Sequence, residues 1–430
     1  MCAARTENRL SPIARTLQPS ATLAINEHTA RLIAQGREVF RLGFGQSPFP
    51  VPEHVVAALQ LHAHEKGYLP VLGLQQLREA IAGYYYRTEQ LEISPDQVMV
   101  GPGSKELMFL LQMACDVEVL IPAPSWVSYA PQAGLFGRRV RWLATDIVND
   151  WLITPEQLTA VCRQDPDRSR LLILNYPSNP TGVTYQPEQL EALAAVAKKF
   201  GLLILSDEIY SGFDFTGTHV SIARYYPDGT IISNGLSKWC GAGGWRIGTF
   251  VFPQSLNWLR DAMASIASET FAAVAAPMQY AAVTAYAGGE EFERYLADGR
   301  RILRALSRHA TRKLRSAGTE VCDAAGGFYL FPRFASTLAA NNPAANSSAA
   351  FCDQILNDVG VAMLPGSDFG QSPEDLTARI ALVDFDGASA LQGLGSISED
   401  ADPDEAFINE HCGAVVKGID RLSAWLTDGS

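Results

Sequence analysis

The chain lacks any arrangement of cysteines that could make a bond or a site. Its seven cysteines stand apart at positions 2, 115, 162, 240, 322, 352 and 412, with no CxxC pair and no His/Cys cluster. Dispersed, odd-numbered thiols argue against a disulfide framework or a zinc site and fit a reducing compartment. A basic surplus is also missing, since 34 Lys and Arg stand against 46 Asp and Glu, for a net charge of -12. A general nucleic-acid binder or a protein of anionic membranes would need a basic face. Long apolar runs are absent as well. The opening MCAARTENRLSPIARTLQ has no apolar core of signal-peptide length, and no later segment reaches membrane-spanning length. Its few arginines leave a transit peptide open, and the expectation is a cytoplasmic protein with no nucleic-acid or membrane partner. No internal repeat is visible, and the phosphate loop GxxxxGK[ST] does not occur.

What is present is a chain of 430 residues, 47% of them apolar, with room for two or three domains. Between residues 97 and 252, apolar runs at 97–100, 117–121, 138–143, 171–174, 202–205, 230–233 and 249–252 read as strands. Helical patterns at 106–114, 155–162 and 187–200 separate several of them. This βα rhythm predicts an α/β fold with a mostly parallel sheet covered on both faces. Helices are expected ahead of it at 22–35, 52–63 and 74–86, with a short strand at 39–44. Beyond it, residues 256–318 read as helical. A second, smaller α+β region follows, with strands in GTEVCDA, GGFYLFPRF, GVAMLPGSDFG and ARIALVDFDG and helices at 349–359 and 406–426. The acidic, Ser/Gly-rich stretch 386–405 reads as a surface loop.

The residues that could carry chemistry gather at strand ends. SNGLSKWCGAGGWRIG, residues 233–248, holds Lys238 among small residues, with Arg246 eight positions on. A lysine so placed can lose its proton and attack a carbonyl, although an exposed loop lysine is the plain alternative. GPGSKEL places Gly103, Ser104 and Lys105 between a strand and a helix, where free N–H groups and the helix dipole attract an anion. There the alternative is Ser104 as an ordinary helix cap with Lys105 solvated. Asp207 and Glu208 close an otherwise apolar strand, a costly place for a carboxylate unless it is paired or hydrogen-bonded, and Tyr210 lies three residues after Asp207. Trp126 stands just past a strand end, where open α/β sheets bind ligands, or is core. Gly45 lets backbone come close to a ligand or simply turns the chain. Asn179 lies in the polar turn NYPSNPTG. Tyr68 sits in a Pro/Gly loop. Arg379, between apolar stretches, calls for a carboxylate from the protein or from a ligand.

Taken as a set, NPTG, SDEIY and SKxxxxxGWRxG in this order and spacing resemble the fold-type I pyridoxal-phosphate enzymes. The closest likeness is to the class I/II aminotransferases, which include aspartate aminotransferase. The resemblance implies a large domain, residues 46–289, with a mostly parallel seven-stranded sheet. It also implies a small domain, residues 290–430, which residues 1–45 join. By the same resemblance Lys238 is the Schiff-base lysine and proton shuttle, and Asp207 partners the ring nitrogen of pyridoxal 5′-phosphate. Tyr210 and Asn179 bond its phenolate oxygen, and Trp126 stacks on the ring. Gly103, Ser104, Lys105, Ser237 and Arg246 cradle the phosphate. Arg379 holds the substrate carboxylate, helped by Asn179 and the backbone at Gly45. Tyr68 reaches the neighbouring subunit's phosphate, implying a homodimer with shared sites, and no metal is implied. The expected reaction moves an amino group between an L-amino acid and a 2-oxo acid. Elimination, decarboxylation, cyclisation or oxidation on the same fold is the alternative. Gly235 departs from the serine common there, which shifts phosphate binding towards Ser237. ASETFAAVAAPMQ and the long 386–405 stretch depart from aspartate-specific relatives, so the substrate side chain stays open between an aspartate-like and a broad preference.

Overall fold

Seven short apolar runs pair into one sheet whose C-terminal edge carries most of the polar residues singled out above. The computed structural model describes residues 10–16, 19–334, 346–395, 397–398 and 401–428. The strands are β1 (Val98–Gly101), β2 (Glu118–Ala123), β3 (Val140–Ala144), β4 (Arg170–Asn175), β5 (Leu203–Asp207), β6 (Thr230–Gly235) and β7 (Gly248–Val251). Their spatial order is β1-β7-β6-β5-β4-β2-β3. Only β7 runs antiparallel to its neighbours, pairing so with β1 and β6; the remaining pairs are parallel.

The sheet is buried on both faces, and strand alternation sorts its side chains between them. Leu172 and Leu174 of β4 point to one layer, with Leu158, Leu190 and Leu193. Leu171 and Ile173 point to the other, with Leu107, Leu111 and Met263. Helices between the parallel strands supply these layers, among them Ser104–Ala114, Pro155–Arg163 and Pro187–Lys199. Local sequence starts them where the parallel returns need them. Thr154 accepts the Gln157 N–H at 3.3 Å while the Gln157 side chain accepts the Thr154 N–H at 2.9 Å, with Pro155 in the first turn. That reciprocal pair satisfies two amides the helix itself cannot.

After the helices Asn257–Ser268 and Ala276–Ala287, a long helix, Glu290–Ser316, leads into the C-terminal region. Acids fill its first turn and Lys313 and Arg315 its last, both favourable to the helix dipole. A three-stranded antiparallel sheet follows, with Ala378–Ala381 between Leu364–Pro365 and Tyr329–Leu330. Phe40–Arg41 pairs in parallel with Val361–Ala362, tying the N-terminal segment to this region.

Three expectations need correction here. GTEVCDA forms no strand, only an isolated bridge between Glu320 and Arg333. The expected helix at 406–426 is two, Glu405–His411 and Gly413–Asp428. The stretch 386–405 is not a free loop. Its described part contains the helix Gly387–Leu394, capped by Asp386. Asp402 then meets both Arg304 and, at 2.8 Å, Arg308 of the long helix. Composition suggested solvent, but the acids answer an arginine row ninety residues earlier in the chain.

Candidate active site

β4 and β5 end in register beside Ser233 of β6, placing Asn175, Asp207 and Ser233 side by side across three strands. Ligands of open α/β sheets bind at this edge. The cavity above it is about 380 Å³, within the usual range for a small-molecule site. All the expected site residues line it except Gly103 and Tyr68. Gly103 lies directly behind the cavity wall. Tyr68 projects outward with 97% of its surface exposed, so it takes no part in this chain's own cavity.

Asp207 is 3% exposed. It accepts a hydrogen bond from Tyr129 Oη at 2.5 Å and a longer one from Ser233 Oγ at 3.4 Å. Among the described residues it has no cationic partner within salt-bridge distance. Burial pushes its carboxyl up to about 6, against the pull of Tyr129, the Ile209 N–H and Ser233. A buried carboxylate held by neutral donors alone is arranged for a cationic group from elsewhere.

Lys238 occupies a tight turn after β6. Its amine donates to the Gly45 carbonyl at 2.8 Å and lies 5.8 Å from the Tyr210 ring centre and 5.9 Å from that of Phe328. Burial first, then Arg379 and Arg246, bring its pKa down to about 8, with Asp207 opposing. Near neutral pH a useful share of the molecules therefore carries a neutral, nucleophilic amine. The plain reading of an exposed loop lysine does not hold. Gly45 needs to be glycine, but not for a ligand's sake. A Cβ there would lie 1.9 Å from Tyr329 Oη, and that hydroxyl is 3.0 Å from Tyr210 Oη.

Arg379 is 1% exposed and forms the opposite wall. It donates to Asn179 Oδ1 at 3.0 Å and to the Gly43 carbonyl at 2.6 Å, and its guanidinium stacks 4.6 Å from the Tyr329 ring centre. Among the described residues no carboxylate lies within salt-bridge distance, and its Nε has no partner. The sequence left open which carboxylate Arg379 meets. The described residues provide none within salt-bridge distance, which leaves the guanidinium able to take one from a ligand.

At the third corner, Gly103 caps the helix Ser104–Ala114 with φ 89, so the cap is the glycine and Ser104 is the first helical residue. A Cβ on Gly103 would lie 2.0 Å from the Arg246 guanidinium, and one on Gly248 2.0 Å from the Ser104 nitrogen. Arg246 itself holds φ 57, a rare backbone state for a residue with a side chain. It donates to the carbonyls of Gly243 at 2.9 Å and Pro102 at 3.3 Å. The first amides of any helix lack intrahelical acceptors. Here they stand beside a fixed guanidinium and the Ser104 hydroxyl, an arrangement that attracts an anion. Lys105 lies 5.4 Å from the Trp126 ring centre. The lining thus carries four cationic side chains, Lys105, Lys238, Arg246 and Arg379, against the one carboxylate of Asp207.

Among the lining residues to which the sequence reading assigned no role are Asn175, Tyr129 and Tyr329. Asn175 closes an apolar strand as Asp207 does, and that shared pattern could have flagged it. Its side chain accepts the Asn179 N–H at 2.7 Å and donates to the Asp207 carbonyl at 2.8 Å. Tyr129 follows Trp126 by three residues and meets it edge to face at 5.2 Å. Tyr329, inside an apolar strand, gave no signal at all.

A covalent-capable amine, a lone buried acid and several cationic side chains meet at the edge of a doubly covered sheet, the arrangement of an enzyme site for a small molecule. The chain matches the family described as aminotransferase class I and II over residues 37–384 and belongs to it. It is 36% identical to an aspartate aminotransferase of Geobacillus stearothermophilus, covering 87% of this chain and 94% of that one. It is 33% identical to an aspartate/prephenate aminotransferase of Cereibacter sphaeroides, covering 85% and 92%. Among solved structures, the aspartate aminotransferase from Thermus thermophilus with maleate superposes with a TM-score of 0.81 at 28% identity. That match covers 96% of this chain and 99% of the other. The chain is thus an aminotransferase, moving an amino group between an amino acid and a 2-oxo acid. Among the described residues no helix is long and apolar enough to cross a membrane.

Proposed function

We propose that this aminotransferase holds pyridoxal 5′-phosphate in the cavity and prefers aspartate-like dicarboxylic substrates, acting as a cytoplasmic homodimer. The observation that carries the reading is the pairing of two unmet needs in one cavity. Arg379 is a buried cation without a carboxylate among the described residues, and Asp207 is a buried carboxylate without a cation. A carboxylate-bearing substrate and a protonated ring nitrogen meet those needs respectively. The cradle of Ser104, Lys105, Ser237 and Arg246, with Gly103 leaving room behind it, fits a phosphate monoester. When bound, the cofactor supplies an aldehyde carbon for an amine and a ring that takes up the electron pair left at the substrate's Cα.

The chain's own residues do the rest. Lys238 offers a neutral amine to a carbonyl carbon and, once free again, takes a proton on Nζ and returns it. Asp207 would pair, ionised, with a protonated ring nitrogen, and Tyr129 keeps its carboxylate in place. Tyr210 and Asn179 would offer donors to the cofactor's phenolic oxygen, and Trp126 would cover its ring. Arg379 takes the α-carboxylate and orients the Cα–H towards Lys238. The names of the curated relatives support a substrate with a second carboxylate. All six described cysteines are free and buried, in keeping with a reducing cytoplasm. We assign residues 46–289 to a cofactor-binding domain and 290–430, joined by 1–45, to a smaller one. The solvent-facing Tyr68 is the residue offered to a second copy.

The test is a panel of L-amino acids with 2-oxo acids, following the new amino acid and any ammonia. Stoichiometric amino transfer, fastest with aspartate, is the expected result. Ammonia release without transfer would reject the reaction, and a preference for neutral side chains would reject the substrate class. Arg379→Ala should lower kcat/KM by roughly 30-fold to several thousand-fold, the range for truncating a buried charged pair. Most of that loss should fall on KM, and unchanged kinetics would show that the carboxylate binds elsewhere.

A further inference from the structure

Lys238 is held in place through the residue after it. Trp239 is 1% exposed. Its Nε1–H donates to Asn234 Oδ1 at 3.0 Å, and the same oxygen accepts the Gly235 N–H at 2.8 Å. Asn234 is fully buried, and its Nδ2 donates to Ser211 Oγ at 3.3 Å, one residue beyond Tyr210. One carboxamide therefore joins the end of β6, the lysine turn and the segment carrying Asp207 and Tyr210.

The indole has no slack. It stacks on Tyr84 with centroids 5.9 Å apart and planes 6° apart, and Tyr286 and Phe292 close on its faces edge-on. A Cβ on Gly212 would come within 2.6 Å of the Trp239 Cβ. The turn is also tied by the Ala242 N–H to the Leu236 carbonyl and by the Gly241 N–H to the Lys238 carbonyl. Those bonds shape the turn, while the indole–amide bond ties it through Asn234 to Ser211 of the neighbouring segment.

We propose that Asn234 and Trp239 are positioning residues for Lys238. Their hydrogen bond fixes the turn so that the amine stays against the Gly45 carbonyl, between Tyr210 and Phe328, and does not reach out to solvent. The inference rests on Lys238 being the reacting lysine. The groups facing its amine are Arg379, Arg246, Asp207, Tyr210 and Tyr329, none of which either substitution below alters.

The test reads the amine itself in the full-length chain freed of cofactor. Acetic anhydride competes for Lys238 between about pH 6 and pH 11, and the labelling midpoint is read by mass spectrometry of its peptide. Trp239→Phe keeps the ring and removes the N–H; Asn234→Ala removes the acceptor. Leu190→Ala, in the core beyond the sheet, serves as a destabilised control. Both test variants should move the midpoint up by about one pH unit or more, as the buried setting of the amine is partly undone. The control should lose melting temperature and keep the midpoint. If the two variants lose only melting temperature, the pair is structural and the proposal fails. Should neither variant fold, exchange of the wild-type Trp239 indole N–H decides. Protection equal to that of the central strands supports the anchor, and rapid exchange overturns it. A wild-type midpoint at the ordinary lysine value would reject Lys238 as the reacting lysine, and this proposal with it.

Discussion

Lys238→Ala is expected to lower the rate of amino transfer by at least about four powers of ten, because it removes a nucleophile and a general acid–base at once. Nothing else in the cavity can substitute. Among the described residues Lys105 is the only other amine there, and it lies by the Trp126 ring on the cradle side. Tyr210 is nearer, but burial and its bond to Tyr329 push its hydroxyl well above the range where it could act as a base. The protein should still fold. The removed charge is one that burial, Arg379 and Arg246 all oppose, so the melting temperature of the cofactor-free variant near neutral pH should hold or rise. Both readings are needed. Pyridoxal phosphate fixed to the chain by borohydride in the alanine variant would place the covalent anchor on another lysine. A rate within tenfold of the wild type would end Lys238's part in the reaction.

Much of this site was legible in the sequence because its residues sit at strand ends, where polar groups break an apolar run. Asp207, Lys238 and the GPGSK turn carry such signatures, and the βα rhythm from 97 to 252 yielded the seven strands nearly in their observed bounds. Three kinds of information were not legible. Tyr329 and Tyr129 act through their hydroxyls, yet in the sequence they look like packing, since a buried tyrosine discloses its partner only in three dimensions. The need for glycine at 45 and 103 comes from Tyr329 and Arg246, residues 284 and 143 positions away. The stretch 386–405 read as solvated because composition is local, while the arginines that hold Asp402 lie on a helix much earlier in the chain. Local pattern disclosed which residues were unusual. Only the fold disclosed which of them meet.

Asp207→Asn should separate stability from function. The folded protein raises this carboxyl from 3.8 to about 6, with burial as the leading cause. A carboxyl that binds its proton more tightly when folded makes the folded state pay for ionisation. Below about pH 4 both states are protonated and the term vanishes; it grows as pH rises to about 6 and is constant above. With Asp207 almost fully buried, the two-unit shift amounts to roughly 3 kcal/mol of destabilisation at neutral pH. The asparagine keeps an acceptor for Tyr129 and Ser233 without the charge. At about 2.1 cal/mol/K per residue, relief of that term raises the melting temperature of the cofactor-free chain by about 3 °C at pH 7 and hardly at all at pH 4. The same substitution removes the one carboxylate that the described residues bring to a cavity of four cations, and with it the proposed partner of a protonated ring nitrogen. Loss of one desolvated charge pair is worth about 2–5 kcal/mol, so kcat should fall by roughly thirtyfold to several thousandfold. A calorimetric series from pH 4 to pH 8, run beside the rate assay, tests both halves. A variant that is less stable at every pH would mean the carboxylate serves the fold, and a near-normal rate would mean the ring nitrogen is held by something else. Gain at neutral pH together with loss of turnover is the signature of a charge kept buried for its ligand.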